Sequence, residues 1–236
     1  MQAVCSTCTL GQICLCATLP VEEQRRLADS VRLAWPMQAG EHIFRAGDRL
    51  GAIYALRSGW LKTYVRRVDG EERVLGFHLP GDLLGLEAID AGHHGLDAVA
   101  LTDVRVCRIP LPTLSRFSES DAELQRRMLG LLSRELADRN RWLASDSLSA
   151  ENRVAGFLVD LVDRREGRGL DASEFRLPMS RADIGAYLNL AHETVSRSLT
   201  RFQKNGLIDV RRRKIRVLAV EDLRQLRMPV GATRGN

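Results

Sequence analysis

A change of texture at Pro110-Leu-Pro112 constrains this chain more than any other feature. On its N-terminal side, from Met37 to Ile109, short apolar segments are punctuated by glycines between Gly40 and Gly95. His42 to Arg45, Ala52 to Leu56, Leu61 to Val65, Arg73 to Phe77 and Val104 to Ile109 are the strand candidates. Strands of that length with glycine turns between them predict an antiparallel sandwich or jelly roll. Asp69-Gly70 is the hairpin signal between the Leu61 and Arg73 segments. Beyond Pro112 the pattern is helical for about eight turns, at 3.6 residues per turn. The expected fold class is therefore α+β.

Leu124, Met128, Leu131, Leu132, Leu136, Trp142 and Leu143 form an apolar stripe along that helix. Such a stripe after a compact β domain predicts pairing with a twin helix in a homodimer, and burial against its own domain is the competing reading. Two series at heptad spacing, Leu124/Leu131/Asp138 and Met128/Glu135/Trp142, each set one carboxylate in the seam. Facing its twin across a two-fold axis, Asp138 would weaken the dimer by like-charge repulsion, with Arg134, Arg139 or Arg141 to offset it. Residues 17–35, upstream of the strands, read as a short amphipathic helix.

From Ser149 a second helical region begins, with Val154, Phe157, Leu158, Leu161 and Val162 on one face and a polar Arg164–Gly169 loop after it. The run Ser180 to Phe202 is the most informative in this half. Ser180 and Asp183 make a capping-box start, Ile184 and Leu188 an inner face, Asn189-Leu190 a turn, and Val195, Leu199 and Phe202 a second inner face. Two short helices joined this way are a helix-turn-helix, whose second helix enters a major groove. Glu193, Ser196 and Arg197 share an exposed face of it. Glu accepts from cytosine, Arg donates twice to guanine, and Ser serves either role. Gly206 to Leu218 reads as a hairpin wing whose tip, Arg211, Arg212, Arg213 and Lys214, is suited to phosphates. From Ser180 onward there are 12 Lys+Arg against 5 Asp+Glu, although the whole chain is only +5. A basic C-terminal segment on a near-neutral body predicts a polyanionic partner.

Four of the five cysteines, Cys5, Cys8, Cys14 and Cys16, lie in the first sixteen residues. Cys5 and Cys8 have the two-residue gap that brings both sulfurs to one metal, and Gly11 permits a turn that returns Cys14 to the same point. Soft thiolates select zinc, copper(I) or iron-sulfur clusters, with redox-active thiols as an alternative. No basic stretch followed by a long apolar core precedes Pro20, so a reducing, cytoplasmic compartment is expected. No apolar run reaches the roughly 18 residues of a membrane span. The lone Cys107 alternates with Val104 and Val106 in its strand, which puts it on the opposite face and within reach of an external N-terminal loop.

These residues together resemble the CRP/FNR family of bacterial transcription regulators, and most closely its oxygen-sensing FNR branch. The resemblance covers nearly the whole chain: the N-terminal cysteines with Cys107, Ser58-Gly-Trp-Leu-Lys62, Gly76-Phe-His-Leu-Pro-Gly-Asp82, Gly92-His-His94, Phe175-Arg-Leu and Glu193-Thr-Val-Ser-Arg197. It implies a cysteine-rich segment (1–18), a β-roll sensor (19–117), a dimerisation helix (118–147) and a winged helix-turn-helix (148–236). It also implies a four-iron, four-sulfur cluster on Cys5, Cys8, Cys14 and Cys107, with Cys16 spare. In that branch the intact cluster favours a dimer bound to an inverted repeat resembling TTGAT and ATCAA, and oxygen dissociates it.

The implied dimer contacts are Met128, Leu131, Leu132, Glu135, Asp138 and Trp142, and the hairpin at Glu71, Glu72 and Arg73 matches a surface used against RNA polymerase. This chain departs from the pattern at Ala191, before the recognition helix, at His192, in a potentially base-facing position, and at Glu135, where relatives carry an apolar residue. No Arg-Ser or Arg-Thr pair for a cyclic phosphate stands around Gly81–Glu87 or His94–Asp97. A zinc-stabilised or redox-thiol regulator, and an iron-sulfur electron-transfer protein, are the remaining alternatives. No catalytic set or nucleotide loop points to an enzyme.

Overall fold

A computed structural model describes residues 22, 24, 32–144 and 148–227, apart from the side chains of 32–34, 117–120, 138 and 141–144. The chain divides into two compact units, one ending at Asp138 and the other beginning at Arg139.

Among its described residues the first unit holds eight strands: β1 (Arg32–Met37), β2 (His42–Phe44), β3 (Ala52–Ser58), β4 (Leu61–Arg66), β5 (Glu72–His78), β6 (Leu83–Leu84), β7 (Asp97–Ala100) and β8 (Val104–Pro110). They form two antiparallel four-stranded sheets, ordered β1-β8-β3-β6 and β2-β7-β4-β5. The Asp69-Gly70 turn closes the β4–β5 hairpin, with Gly70 at a φ of 86°. Alternation of side chains explains the layers. Tyr54 and Leu56 of β3 and Val104 and Val106 of β8 point inward, meeting Phe44, Leu61 and Ala98 from the other sheet. Ile53 and Ala55 of β3, with Cys107 and Ile109 of β8, take the opposite face.

That outer face is covered by two helices, α1 (Leu111–Ser120) and α2 (Ala122–Ala144), through Leu114, Leu124, Met128 and Leu131. Complete burial of a side chain such as Leu124 stabilises by about 1.5–3 kcal/mol. The single eight-turn helix expected from the apolar stripe is thus two helices. Asp121 leaves the helical conformation and caps α2, its Oδ1 accepting from the amides of Glu123 at 2.8 Å and Leu124 at 3.0 Å. The expected helix over 17–35 is also corrected at its end, because Arg32–Met37 pairs with β8 as an edge strand. Pro36 has no N–H for a sheet ladder and fits at an edge, while Trp35 and Met37, two apart, pack into the core.

In this unit the ring of His42 lies 3.0 Å from the Tyr64 hydroxyl. Burial of that ring, and then the nearby Arg45, hold its pKa below the solvated value of 6.5, with Asp97 and Glu72 opposing. The folded chain therefore binds fewer protons there than the unfolded chain as pH falls through 6.5, so stability falls on acidification. Thermal melting between about pH 7.5 and 5.5 should show this loss, and His42→Gln should flatten it.

The second unit begins with α3 (Ala150–Glu166), capped by Ser149, whose Oγ accepts from the Asn152 amide at 3.2 Å. The apolar residues predicted for its inner face are buried. There follow β9 (Glu174–Arg176), α4 (Arg181–Leu188), α5 (His192–Lys204), β10 (Ile208–Arg211), β11 (Lys214–Val217) and α6 (Val220–Arg227). The three strands make an antiparallel sheet ordered β10-β11-β9. Arg224 fastens α6 to α3, donating to Asp163 at 2.7 Å and to Glu221 of its own helix at 2.6 Å.

Candidate nucleic-acid interface

The helix-turn-helix is built as its residues predict. Ser180 Oγ accepts from the Asp183 amide at 3.0 Å while Asp183 Oδ2 accepts from the Ser180 amide at 2.8 Å, closing a capping box that starts α4. Asn189 ends α4 in the left-handed conformation at a φ of 56°, which asparagine tolerates better than most residues. The chain then turns tightly over Gly185, whose carbonyl accepts from the Leu190 amide at 2.9 Å. Beneath the motif, Arg153 of α3 donates to the Leu188 carbonyl at 3.0 Å and so satisfies the end of α4.

Helix α5 buries Val195, Leu199 and Phe202 and presents His192, Glu193 and Arg197 to solvent, with Ser196 half-buried. Neighbours hold each of these side chains. His192 Nε2 and Glu193 Oε1 are 3.2 Å apart, Ser196 Oγ donates to the His192 carbonyl at 3.0 Å, and Arg197 Nη2 donates to Thr194 Oγ1 at 3.2 Å. Ala191 stands at the N-cap without a side-chain bond, which costs about 1 kcal/mol against a serine or threonine. Glu193 in the first turn partly compensates through the helix dipole.

In the wing, Arg211 pairs with Lys214 in register, leaving Arg212 and Arg213 as a two-residue turn. Arg212 has a φ of 60°, a conformation that costs a residue with a Cβ about 1–2 kcal/mol. Arg213 faces inward chemically: it donates to the Pro178 carbonyl at 3.1 Å, and its own carbonyl accepts from Leu177 at 2.7 Å. Arg211 pairs with Asp209 at 3.1 Å. Lys214 and Arg216 converge on Glu174, Arg216 at 2.7 Å, and those two bonds hold the Glu174 carboxyl below its usual range. Sequence reasoning missed Glu174 and Asp209 as counter-charges. The signal was present in part, since Asp209 lies two residues before Arg211, on the same strand face.

Cys107 is half-buried on the outer face of its sheet, as the alternation predicts, in the cluster that includes Met128 and Leu131 of α2. Cys5, Cys8, Cys14 and Cys16 lie outside the described residues, as do the side chains of Asp138 and Trp142. Leu132 is half-buried and Glu135 exposed, while Leu129 and Leu136 are 67% and 62% exposed. Those two leucines, seven apart, share a helix face; the sequence reading took in Leu136 but not Leu129. At the β4–β5 hairpin, Glu71 is exposed, Arg73 is half-buried, and Glu72 pairs with Lys62 at 2.6 Å. His94, 2% exposed, stacks on Phe44 with 3.6 Å between ring centroids and sets Nδ1 2.9 Å from Glu87 Oε1.

A β-roll unit followed by a long helix and a winged helix-turn-helix is the architecture of a DNA-binding regulator. Residues 35–121 match the cyclic nucleotide-binding domain, and residues 152–226 match the Crp-like helix-turn-helix domain. The chain is 43% identical over 218 residues to the transcriptional activator protein anr of Pseudomonas aeruginosa, covering 92% of this chain and 89% of that one. It is 41% identical over 223 residues to the fumarate and nitrate reduction regulatory protein of Escherichia coli, covering 94% and 89%. Among solved structures, FixK2 from Bradyrhizobium japonicum matches with a TM-score of 0.75 at 29% identity, over 83% of this chain and 96% of that one. The chain belongs to the Crp/FNR family of transcription regulators, and it is not an enzyme. No helix among the described residues is long and apolar enough to cross a membrane.

Proposed function

We propose that this protein is an oxygen-responsive transcription regulator of the cytoplasm. It binds an inverted repeat resembling TTGAT and ATCAA as a homodimer while a four-iron, four-sulfur cluster on Cys5, Cys8, Cys14 and Cys107 is intact. The observation that carries the reading is the seat of Cys107, whose strand face is shared with Met128 and Leu131 of α2. A thiolate there fits a soft metal group, and whatever it holds bears on the helix assigned to dimerisation. Bound, the cluster would supply an oxygen-labile crosslink between the N-terminus and β8.

Glu193, Ser196 and Arg197 read bases, His192 stands beside them, and the wing contacts phosphates. Met128, Leu131, Leu132, Glu135, Asp138 and Trp142 form the dimer seam, in which Asp138 sets the poise between monomer and dimer. The Glu71, Glu72 and Arg73 hairpin is the RNA polymerase contact. His94 and Glu87 engage each other in the stretch where a cyclic-phosphate site would need an arginine, which favours this reading over a cyclic-nucleotide receptor.

The test is a fluorescence anisotropy titration of operator and scrambled duplexes, with iron, sulfide and zinc assays, on protein prepared without oxygen and again after air. Specific binding that disappears in air together with the iron supports the proposal. Zinc with air-stable binding would convert it to a zinc-stabilised regulator, and cluster without DNA binding to an electron-transfer protein. Arg197→Ala should cost about 1–3 kcal/mol of discrimination between the two duplexes while leaving the melting curve in place.

A further inference from the structure

We propose that Arg212 is a sequence-independent phosphate contact, held at the tip of the wing at the expense of fold stability. The proposal rests on the DNA-binding reading above and adds a division of labour among the wing's cations. Arg211 is engaged by Asp209, Lys214 and Arg216 by Glu174, and Arg213 by the Pro178 carbonyl. Arg212 is exposed and makes no hydrogen bond or ion pair among the described residues. Its guanidinium is thus the wing charge that no described residue engages.

Its backbone adds the second observation. Arg212 is the first central residue of a two-residue hairpin turn and the one with positive φ. That is the pattern of a type II′ turn, in which glycine is ordinarily found at this position. A side chain with a Cβ is strained there, and no bond from the Arg212 side chain to a described residue offsets it. Uncompensated strain of this kind accumulates at functional positions. The compensation must come from outside, and an always-charged planar fork with five donors is matched to phosphate oxygens. The wing also springs directly from the reading helix, since the Leu207 amide donates to the Phe202 carbonyl at 2.9 Å. A tip charge placed this way reaches the duplex backbone beside the groove that α5 enters.

The experiment uses the full chain prepared without oxygen, titrated with operator and scrambled duplexes over a series of salt concentrations. Arg212→Gly should move two properties in opposite directions. The melting midpoint of the C-terminal unit should rise by roughly 4 °C, glycine's looser unfolded chain taking back part of the relief. Affinity should fall about three- to tenfold for both duplexes alike, with the slope of log K against log salt reduced by about one. Arg212→Lys should keep the salt slope and show no rise in midpoint. Unchanged affinity and slope in Arg212→Gly, with wild type binding normally, would overturn this assignment alone. A loss confined to particular flanking sequences would also overturn it, in favour of base reading in the minor groove. If wild type binds neither duplex, the DNA-binding reading itself fails.

Discussion

Replacing Cys107 by serine is expected to reduce iron and acid-labile sulfide in oxygen-free protein from about four of each per chain to near zero. Operator affinity should fall with them by about 100-fold or more, roughly 2.7 kcal/mol. Serine is close to cysteine in size, and the site is only half-buried, so the β-roll should tolerate the change. A hydroxyl, however, is a poor substitute for a thiolate toward soft metals. The control is Cys16→Ser, which should alter neither the metal content nor the affinity, because the other N-terminal cysteines complete the set. Iron retained by the Cys107 variant would remove this residue from the ligand set, and with it the proposed link between the N-terminus and α2. Iron lost with DNA binding unchanged would show that the metal is not the switch.

Gly185→Ala should destabilise the C-terminal unit by about 3 kcal/mol, the upper end of what overpacking exacts. An alanine Cβ would stand 2.5 Å from the Leu190 carbonyl oxygen and 3.5 Å from the His192 amide. The second is ordinary contact, but the first is a clash with backbone in a turn already pinned by its bond to Gly185, so it does not yield as a flexible side chain would. Relief requires α5 to shift at its N-terminal end, where His192, Glu193 and Arg197 are displayed. Operator binding should therefore be lost even at temperatures where circular dichroism still reports a folded unit. Gly130→Ala is the matched control, since a Cβ there meets open space. With alanine's better helix propensity it should leave stability equal or raise it by up to about 1 kcal/mol. Equal behaviour of the two variants would refute the packing account of the turn.

The strands with clear alternation and the helix-turn-helix were legible in the sequence because their signals are local. Period-two patterning marked β3, β4, β5 and β8, and the Ser180–Asp183 cap with the Asn189 turn marked α4 and α5. Elements without local signals were missed. Asp97–Ala100 is a short run of small residues, buried from Ala98 onward, so it shows no alternation. Glu174–Arg176 is a three-residue edge whose existence depends on pairing with β11. Arg32–Met37 was absorbed into a helical pattern because the partner that makes it a strand, β8, lies some seventy residues downstream. The break at Asp121 was readable in principle, as an acidic residue three before the buried Leu124, but the continuous apolar stripe outweighed it. On α5 the inner and outer faces were legible, with Val195, Leu199 and Phe202 buried and Glu193 and Arg197 exposed. Which wing cations are spoken for was not, because that depends on Glu174 and Pro178 arriving from another strand and loop, and only the Asp209–Arg211 pair is local.

The tie from Arg153 to the Leu188 carbonyl has one more implication. Together with the Arg224–Asp163 and Arg201–Glu151 pairs, it makes α3, the reading motif and the final helix one braced piece. These ties favour a single arrangement of α3, the reading motif and the final helix within the C-terminal unit. On the proposed function, a regulator braced in this way would work as a dimmer and not as a retuned receiver: its signal would alter how many sites are filled, while the ranking of sites by sequence would stay fixed. Genes under its control would then differ in threshold rather than in identity as conditions change, with the weakest operators falling silent first.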